Sequence, residues 1–347
     1  MMQYPKNQIV TTSAPCRIDF GGTLDISLLH YTLRHLKPCT FNVALDMRTR
    51  VTIRPYTKDQ VKISSKGFTD ASFSADNLPF DHPLGLMFAI ASYYRITGAH
   101  IHIDSSSPPR SALGGSSTAA VALIAALSSV VDETITPHQI AQLAYQIESN
   151  VARVPCGIQD QLAAVSGGVN IWHFGASPAA PQFTQECLSP KMDHSDFQKH
   201  ILIAYCGVPH ESKDINGQWI KQFLQGTSRK QWQQIVHLTH TFTKALLNQD
   251  WSTVVSTMND EVGIRLQMTP DVLDKTGKLL RQSAIDNQCA ARFTGAGGGG
   301  CMWAIGEIAN IDKLRDVWQT ILNSHSDASL LQNKIADCGV IIEGDNK

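Results

Sequence analysis

Residues 108–120 read Pro-Pro-Arg-Ser-Ala-Leu-Gly-Gly-Ser-Ser-Thr-Ala-Ala and lead into the apolar run VALIAALSSVV. The prolines end the alternating segment IHIDSSS and exclude a helix there. The apolar run favours a helix too hydrophobic for a surface position, which predicts a buried helix starting near Ser116. Its free N–H groups would sit behind the Gly114–Gly115 turn and form an anion site. Ser116, Ser117 and Thr118 add hydroxyl donors, or ligands for a hard cation such as Mg²⁺. The plainer alternative is that Ser116 caps a buried helix.

Three further stretches carry candidate chemistry. Thr294-Gly295-Ala296-Gly297-Gly298-Gly299-Gly300 fits the letters of a dinucleotide fingerprint, but the run after it, CMWAIG, reads as a strand rather than a helix. So many glycines imply positive φ or a close backbone approach, to a ligand rather than in a mere hairpin. Asp160, flanked by Gln159 and Gln161 in a sparsely charged neighbourhood, is a candidate general base. Arg17 lies inside an apolar strand, where a guanidinium needs an acidic partner. Asp25 follows a Gly21-Gly22-Thr23 turn, a setting for binding substrate hydroxyls or for capping the turn itself. No Walker A pattern is present.

The elements that must position these groups follow from periodicity. Strands are expected at 8–20, 41–55 and 61–64, and a helix at 82–98. Strand IHIDSS feeds the buried helix, and another helix starts at Thr136 with Pro137 in its first turn. Beyond a Pro/Ala/Gly-rich stretch at 175–186, HILIAYCG reads as a buried strand. Helices are then expected at about 212–226, 229–248, 251–265, 270–287 and 311–324, and strands at ARFTG, CMWAIG and CGVIIE. The pattern is α+β in both halves.

With 347 residues, 43% hydrophobic and 17% charged, two globular domains are expected. A net charge of −1 gives no electrostatic case for nucleic acid or an anionic membrane. No apolar stretch reaches transmembrane length and the N-terminus has no signal-peptide core, so a cytoplasmic location is expected. The eight scattered cysteines read as buried thiols of a reducing compartment.

In this order, the stretches resemble the GHMP kinase superfamily of galactokinase, homoserine kinase and mevalonate kinase. Ala14-Pro15-Cys16-Arg17 is similar to its first motif. Pro109 to Ala119 follow the second, P-x-x-x-G-L-G-S-S-A-A, with the Leu and one Gly displaced. Thr294 to Gly300 match the third, T-G-A-G-x-G-G. Arg17 together with the G-x-Q-D-Q motif resembles the sugar 1-kinase branch, notably heptose 7-phosphate kinases and L-fucokinases. Here the turn reads Gly-Gly-Thr-Leu-Asp, so Thr23 and Asp25 are not adjacent.

The resemblance implies two domains, 1–178 and 179–347. The first is a ribosomal-protein-like βαβ domain with a left-handed crossover, the second is ferredoxin-like, and the active site lies in the cleft between them. It implies ATP on Pro109, Leu113, Gly114, Gly115, Ser116, Ser117 and Thr118, with Gly295, Gly297 and Gly298 closing the site. Mg²⁺ would be held by Ser116 or Ser117 and by Glu148. Asp160 would act on the anomeric hydroxyl, and Arg17 would lower its pKa. A sugar or sugar phosphate would meet Gly21, Gly22, Thr23, Asp25 and Gln159, with His210 and Lys213 as further contacts, and a homodimer is compatible with this reading. The competing readings are a mevalonate- or homoserine-type kinase and a catalytically silent ATP- and sugar-binding sensor.

Overall fold

The structure is a computed structural model and describes residues 1–151, 155–175, 182–209 and 215–343. In chain order the first part runs β1 (Met2–Gln3), β2 (Val10–Phe20), β3 (Cys39–Pro55), β4 (Gln60–Ser65), β5 (Ala71–Ser74), α1 (Gly85–Tyr93), β6 (Ile96–Thr97) and β7 (Ala99–Ser105). It continues through α2 (Gly115–Val130), α3 (Pro137–Gln146), α4 (Gln159–Ser166), β8 (Val169–Phe174) and β9 (Phe183–Cys187). The second part runs α5 (His194–Phe197), β10 (Ile201–Tyr205), α6 (Ile215–Leu224), α7 (Arg229–Leu247), α8 (Trp251–Met268) and α9 (Lys275–Asp286). It ends with β11 (Ala290–Phe293), β12 (Cys301–Ile305), α10 (Ile308–Leu322), β13 (Ser329–Leu331) and β14 (Ile341–Glu343). The expected helix over 82–98 is shorter, because Tyr94 ends it and Ile96–Thr97 pair with β1. A 3₁₀ segment at Ile26–Leu36 had no signal in the pattern.

The larger sheet runs β14-β2-β3-β7-β4-β5, with β8 also on β3 and β9 on β8. Strand β3 is long enough to hold two partners on one edge, β8 at Cys39–Val43 and β7 at Thr49–Pro55. Strands β4 and β7 are parallel, joined through β5, α1 and β6. The smaller sheet has the order β11-β12-β10-β13, antiparallel throughout. A βαββαβ connection with the first strand between the third and fourth is the ferredoxin-like arrangement. Both β9 and β14 lie past the expected boundary at 178/179, yet both hydrogen-bond into the larger sheet, β14 along β2 from Ser13 to Thr11.

Two cores meet along β2 and β3. One packs Val51, Ile53, Val61 and Ile101 against α1–α4, with α2 buried from Ser117 to Ser128. The other packs Ile18, Phe20, Phe41 and Val43 against β10, β12 and the helices of the second part. Between Pro15 and Cys16 the register of β2 against β3 shifts. Such an irregularity re-aims side chains. Val10 and Ala14 join the first core, whereas Cys16, Ile18 and Phe20 join the second. The intervening Arg17 and Asp19 are thereby set at the junction of the two.

The described cysteines carry no disulfide. Five are buried, but Cys187 and Cys338 are exposed, so burial does not hold for all of them.

Candidate active site

A cleft of about 410 Å³ opens at this junction. One half is lined by Arg17, Thr23, Gln159, Asp160, Gly295 and Ala296, the other by Phe68, Pro83, Leu84, Leu86, Met87 and Ile103. The N-terminus of α2 lies between them, with Gly114, Gly115, Ser116 and Ser117 on the wall.

Helix α2 starts one residue earlier than expected. Its N-cap is Gly114, at φ +78°, which has no side chain to satisfy the first-turn N–H groups. Those donors are therefore left for a ligand. Ser116 is inside the helix and caps nothing. Glycine is required twice at 114, because an added Cβ would come within 3.2 Å of Asp160 Oδ2.

Arg17 reaches Asp160 through two nitrogens. Its Nε donates to Asp160 Oδ1 at 2.8 Å and its Nη2 lies 2.8 Å from the same oxygen. Nη1 donates to the Ala112 carbonyl at 2.8 Å, tying the second glycine loop to the pair. Burial raises the Asp160 pKa more than Arg17 lowers it, so the net shift is upward. The expected depression of this carboxylate is thus reversed by desolvation. An upward shift moves a carboxylate toward the range of a useful base.

Glu148 sits on the π-helical turn Ile147–Val151 that extends α3, and only 2% of it is exposed. Ser116 Oγ donates to its Oε1 at 3.1 Å, Ser117 Oγ to its Oε2 at 2.8 Å and Gln161 Nε2 to its Oε2 at 2.8 Å. All three partners are neutral, and burial pushes its pKa up to about 7. A buried carboxylate grouped with hydroxyl oxygens at a helix N-terminus is a donor set suited to Mg²⁺, which takes one or two protein oxygens and completes its shell with phosphate and water.

Several expected site residues serve the backbone instead. Asp25 does not face the cleft. It is buried and accepts the Thr23 N–H at 3.2 Å and the Gln159 N–H at 3.1 Å, so it ties the turn to the start of α4. Burial raises its pKa to about 6. Thr118 is also buried and donates to the Gly114 carbonyl at 2.8 Å. Leu113 is a core residue whose carbonyl accepts the Arg17 N–H at 3.1 Å.

In the third glycine loop only Gly295 and Ala296 line the cleft. Gly297 packs against Val272 and Phe293, and the Gly298 N–H donates to the Val272 carbonyl at 2.9 Å. The loop is the β11–β12 hairpin, and its glycines serve packing: a Cβ on Gly300 would lie 2.6 Å from the Ser111 carbonyl. Only its first two residues are placed where a ligand in the cleft could reach them. Pro109, Gly115, Thr23 and Gln159 line the cleft, and Gly21, at φ +72°, shapes the turn before Thr23. His210 and Lys213 lie outside the described residues.

Pattern reading missed a buried ionic chain behind the cleft. Asp19 Oδ1 lies 3.7 Å from Arg17 Nη1 and accepts the Gly295 N–H at 2.8 Å. Its Oδ2 meets Arg292 Nη1 at 3.1 Å, and Arg292 Nε donates to Glu261 Oε2 at 3.1 Å. Glu261 Oε1 then accepts from Arg265 Nε at 2.8 Å. The local signal was the presence of two arginines and a glutamate in otherwise core-like positions of β11 and α8.

A helix N-terminus with open donors stands beside an arginine–aspartate pair, between an α+β domain and a ferredoxin-like domain, an arrangement suited to phosphoryl transfer. Residues 83–168 match the family model described as GHMP kinases N terminal domain. The chain is 23% identical over 330 residues to mevalonate kinase of Pyrococcus abyssi, covering 86% of this chain and 89% of that one. It is 26% identical over 204 residues to D-glycero-alpha-D-manno-heptose 7-phosphate kinase of Campylobacter jejuni, 58% of this chain and 60% of that one. The solved D-glycero-D-manno-heptose 1-phosphate kinase from Bacteroides thetaiotaomicron superimposes with a TM-score of 0.73 at 16% identity, over 96% of this chain and 98% of that one. Residues 83–168 thus match a GHMP kinase N-terminal domain, and the chain shares the fold of the solved heptose kinase.

Proposed function

We propose that this chain transfers the terminal phosphoryl group of ATP to the anomeric hydroxyl of a sugar or sugar phosphate. The observation that carries this is the Arg17–Asp160 pair set directly against the N-cap of α2. An acceptor hydroxyl held at Asp160 faces phosphates held by the first turn of α2. Asp160 takes the hydroxyl proton as the oxygen attacks the γ-phosphorus, the bond to the β–γ bridging oxygen breaks, and ADP departs. Arg17 stabilises charge on the transferring group, and the helix N-terminus holds the β- and γ-phosphates without reorganising. The apolar half around Phe68, Leu84 and Met87 suits the adenine ring. Ser117 and Glu148 would hold Mg²⁺, which supplies neutralisation of phosphate charge.

Arginine rather than lysine beside the base, and Gln161 after Asp160, support the sugar branch. The match along most of its length to a mevalonate kinase favours a second reading, a mevalonate-type acceptor in the same cleft. The intact Arg17–Asp160 pair argues against a silent sensor. ADP release from Mg·ATP across heptose 7-phosphate, free heptose, fucose, galactose, mannose, mevalonate and homoserine tests these together. Turnover on one sugar, reduced about a thousandfold or more in Asp160→Asn, is the expected result. Turnover on mevalonate or homoserine instead moves the chain to the second reading, and nucleotide binding without any turnover supports the sensor.

A further inference from the structure

Arg265 lies on α8 in the ferredoxin-like part of the chain and is fully buried. Its guanidinium carbon stands 4.7 Å from the ring centroid of Trp219 and 4.6 Å from that of Trp232. With Nε fixed on Glu261, the plane of the group is set by its own domain. The two remaining nitrogens reach across to the other part of the chain. Nη2 donates to the Gly22 carbonyl at 2.8 Å and Nη1 to Thr23 Oγ1 at 3.0 Å.

What they grip is an unusual piece of backbone. Thr23 has φ +100°, a region that a β-branched residue adopts only when its surroundings enforce it. Thr23 also lines the acceptor half of the cleft, close in the chain to Arg17. The ionic chain that begins at Arg265 ends at Asp160, so the turn and the reacting pair hang from one buried scaffold. The planar guanidinium fork holds a carboxylate, a carbonyl and a hydroxyl at once in one fixed geometry.

We propose that Arg265 is a specificity-determining positioning residue: it fixes the Gly22–Thr23 turn as one wall of the acceptor site from the opposite domain. This rests on the kinase reading, in which the acceptor lies beside Asp160. Nucleotide binding uses the other half of the cleft and is independent of Arg265.

The test compares the wild-type chain with Arg265→Lys, Arg265→Met and Thr23→Val. Lysine keeps a buried charge opposite Glu261 but loses the fork, and Thr23→Val removes one contact without touching the ionic chain. The acceptors are galactose, D-glycero-D-manno-heptose 7-phosphate and mevalonate. For whichever the wild type phosphorylates, acceptor KM rises about tenfold or more in Arg265→Lys, as loss of a charged hydrogen bond implies, while kcat and ATP KM stay within about twofold. Hydrogen exchange of the amides at 21–25 accelerates in the same variants, and that at 115–118 does not. Unchanged acceptor KM, or equal rises in acceptor and ATP KM, overturns the proposal. If the wild type phosphorylates none of the three, the kinase reading fails for these acceptors. Exchange at 21–25 then decides alone: acceleration supports the hold on the turn, and no change overturns it.

Discussion

Glu261 and Glu148 are both buried carboxylates near the junction of the two domains, and the chain treats them in opposite ways. Burial presses each pKa upward. At Glu261 the paired Arg292 and Arg265 more than offset it and hold the group below the usual carboxylate range. At Glu148 the partners are two hydroxyls and an amide, and the pKa settles at about 7. A carboxylate that has its cations is part of the frame. One buried among neutral donors is prepared to receive a cation from outside. On the proposed reading Glu261 belongs to the frame and Glu148 to the cation site.

Three experiments press on that contrast. The largest effect is expected from Glu261→Gln, which leaves Arg265 without a carboxylate and Arg292 with Asp19 alone in the interior. Chemical denaturation of the variant is expected to show a loss of about 3–5 kcal/mol. A loss below about 1 kcal/mol, the level of an exposed ion pair, would remove the distinction.

Gly114→Ala comes next. Alanine at φ +78° is strained by about 1–2 kcal/mol and its Cβ presses on Asp160. Unfolding curves should show that modest cost, whereas kcat should fall by about tenfold or more, since the reacting carboxylate is displaced. Equal kcat in the variant would show that Asp160 is not held by this contact.

Glu148→Gln should change stability least and its pH dependence most. The folded pKa is raised from 4.5 to about 7. The protonated group therefore contributes stability that is fully present below about 4.5 and is lost as pH rises through about 7. Glutamine imitates the protonated form, so the variant should melt above the wild type at pH 8 and alongside it at pH 5. Asp25, with its pKa raised to about 6, gives a slope of the same sign in both proteins and cancels in the comparison. Mg·ATP should restore the wild type at pH 8 and leave the variant nearly unmoved. A stabilisation by Mg·ATP that is equal in both would remove Glu148 from the cation site.

The parts of this arrangement that were readable in the sequence are those written in short stretches. Glycine and proline near a helix start mark α2, and Thr136–Pro137 marks α3, whose capping box forms with Gln139. Arg17 and Asp160 stood out because each is a charge among apolar neighbours. The ionic chain was not readable, since Arg265 meets Thr23 across 242 positions and no period links them. Asp25 was misplaced because a carboxylate beside a glycine turn looks the same whether it faces a ligand or caps the backbone. Gly297 and Gly298 misled for a related reason: a glycine reports a close approach but does not say to what. Glu148 lies on a widened helical turn, Ile147–Val151, where regular helical spacing does not predict which way a side chain faces.

The return of β14 to the edge of β2 makes the chain a closed circuit rather than two beads on a string. The polypeptide crosses between the domains once after β9 and again before β14, so the cleft is bridged by two covalent spans. These spans also make the domain of the larger sheet non-contiguous in sequence. A fragment cut at 178 would lack β9 and β14 and expose the β2 edge to pairing with other chains. Neither half is therefore a cassette that recombination could move intact, and new acceptor preferences in this architecture must arise by substitution within the whole.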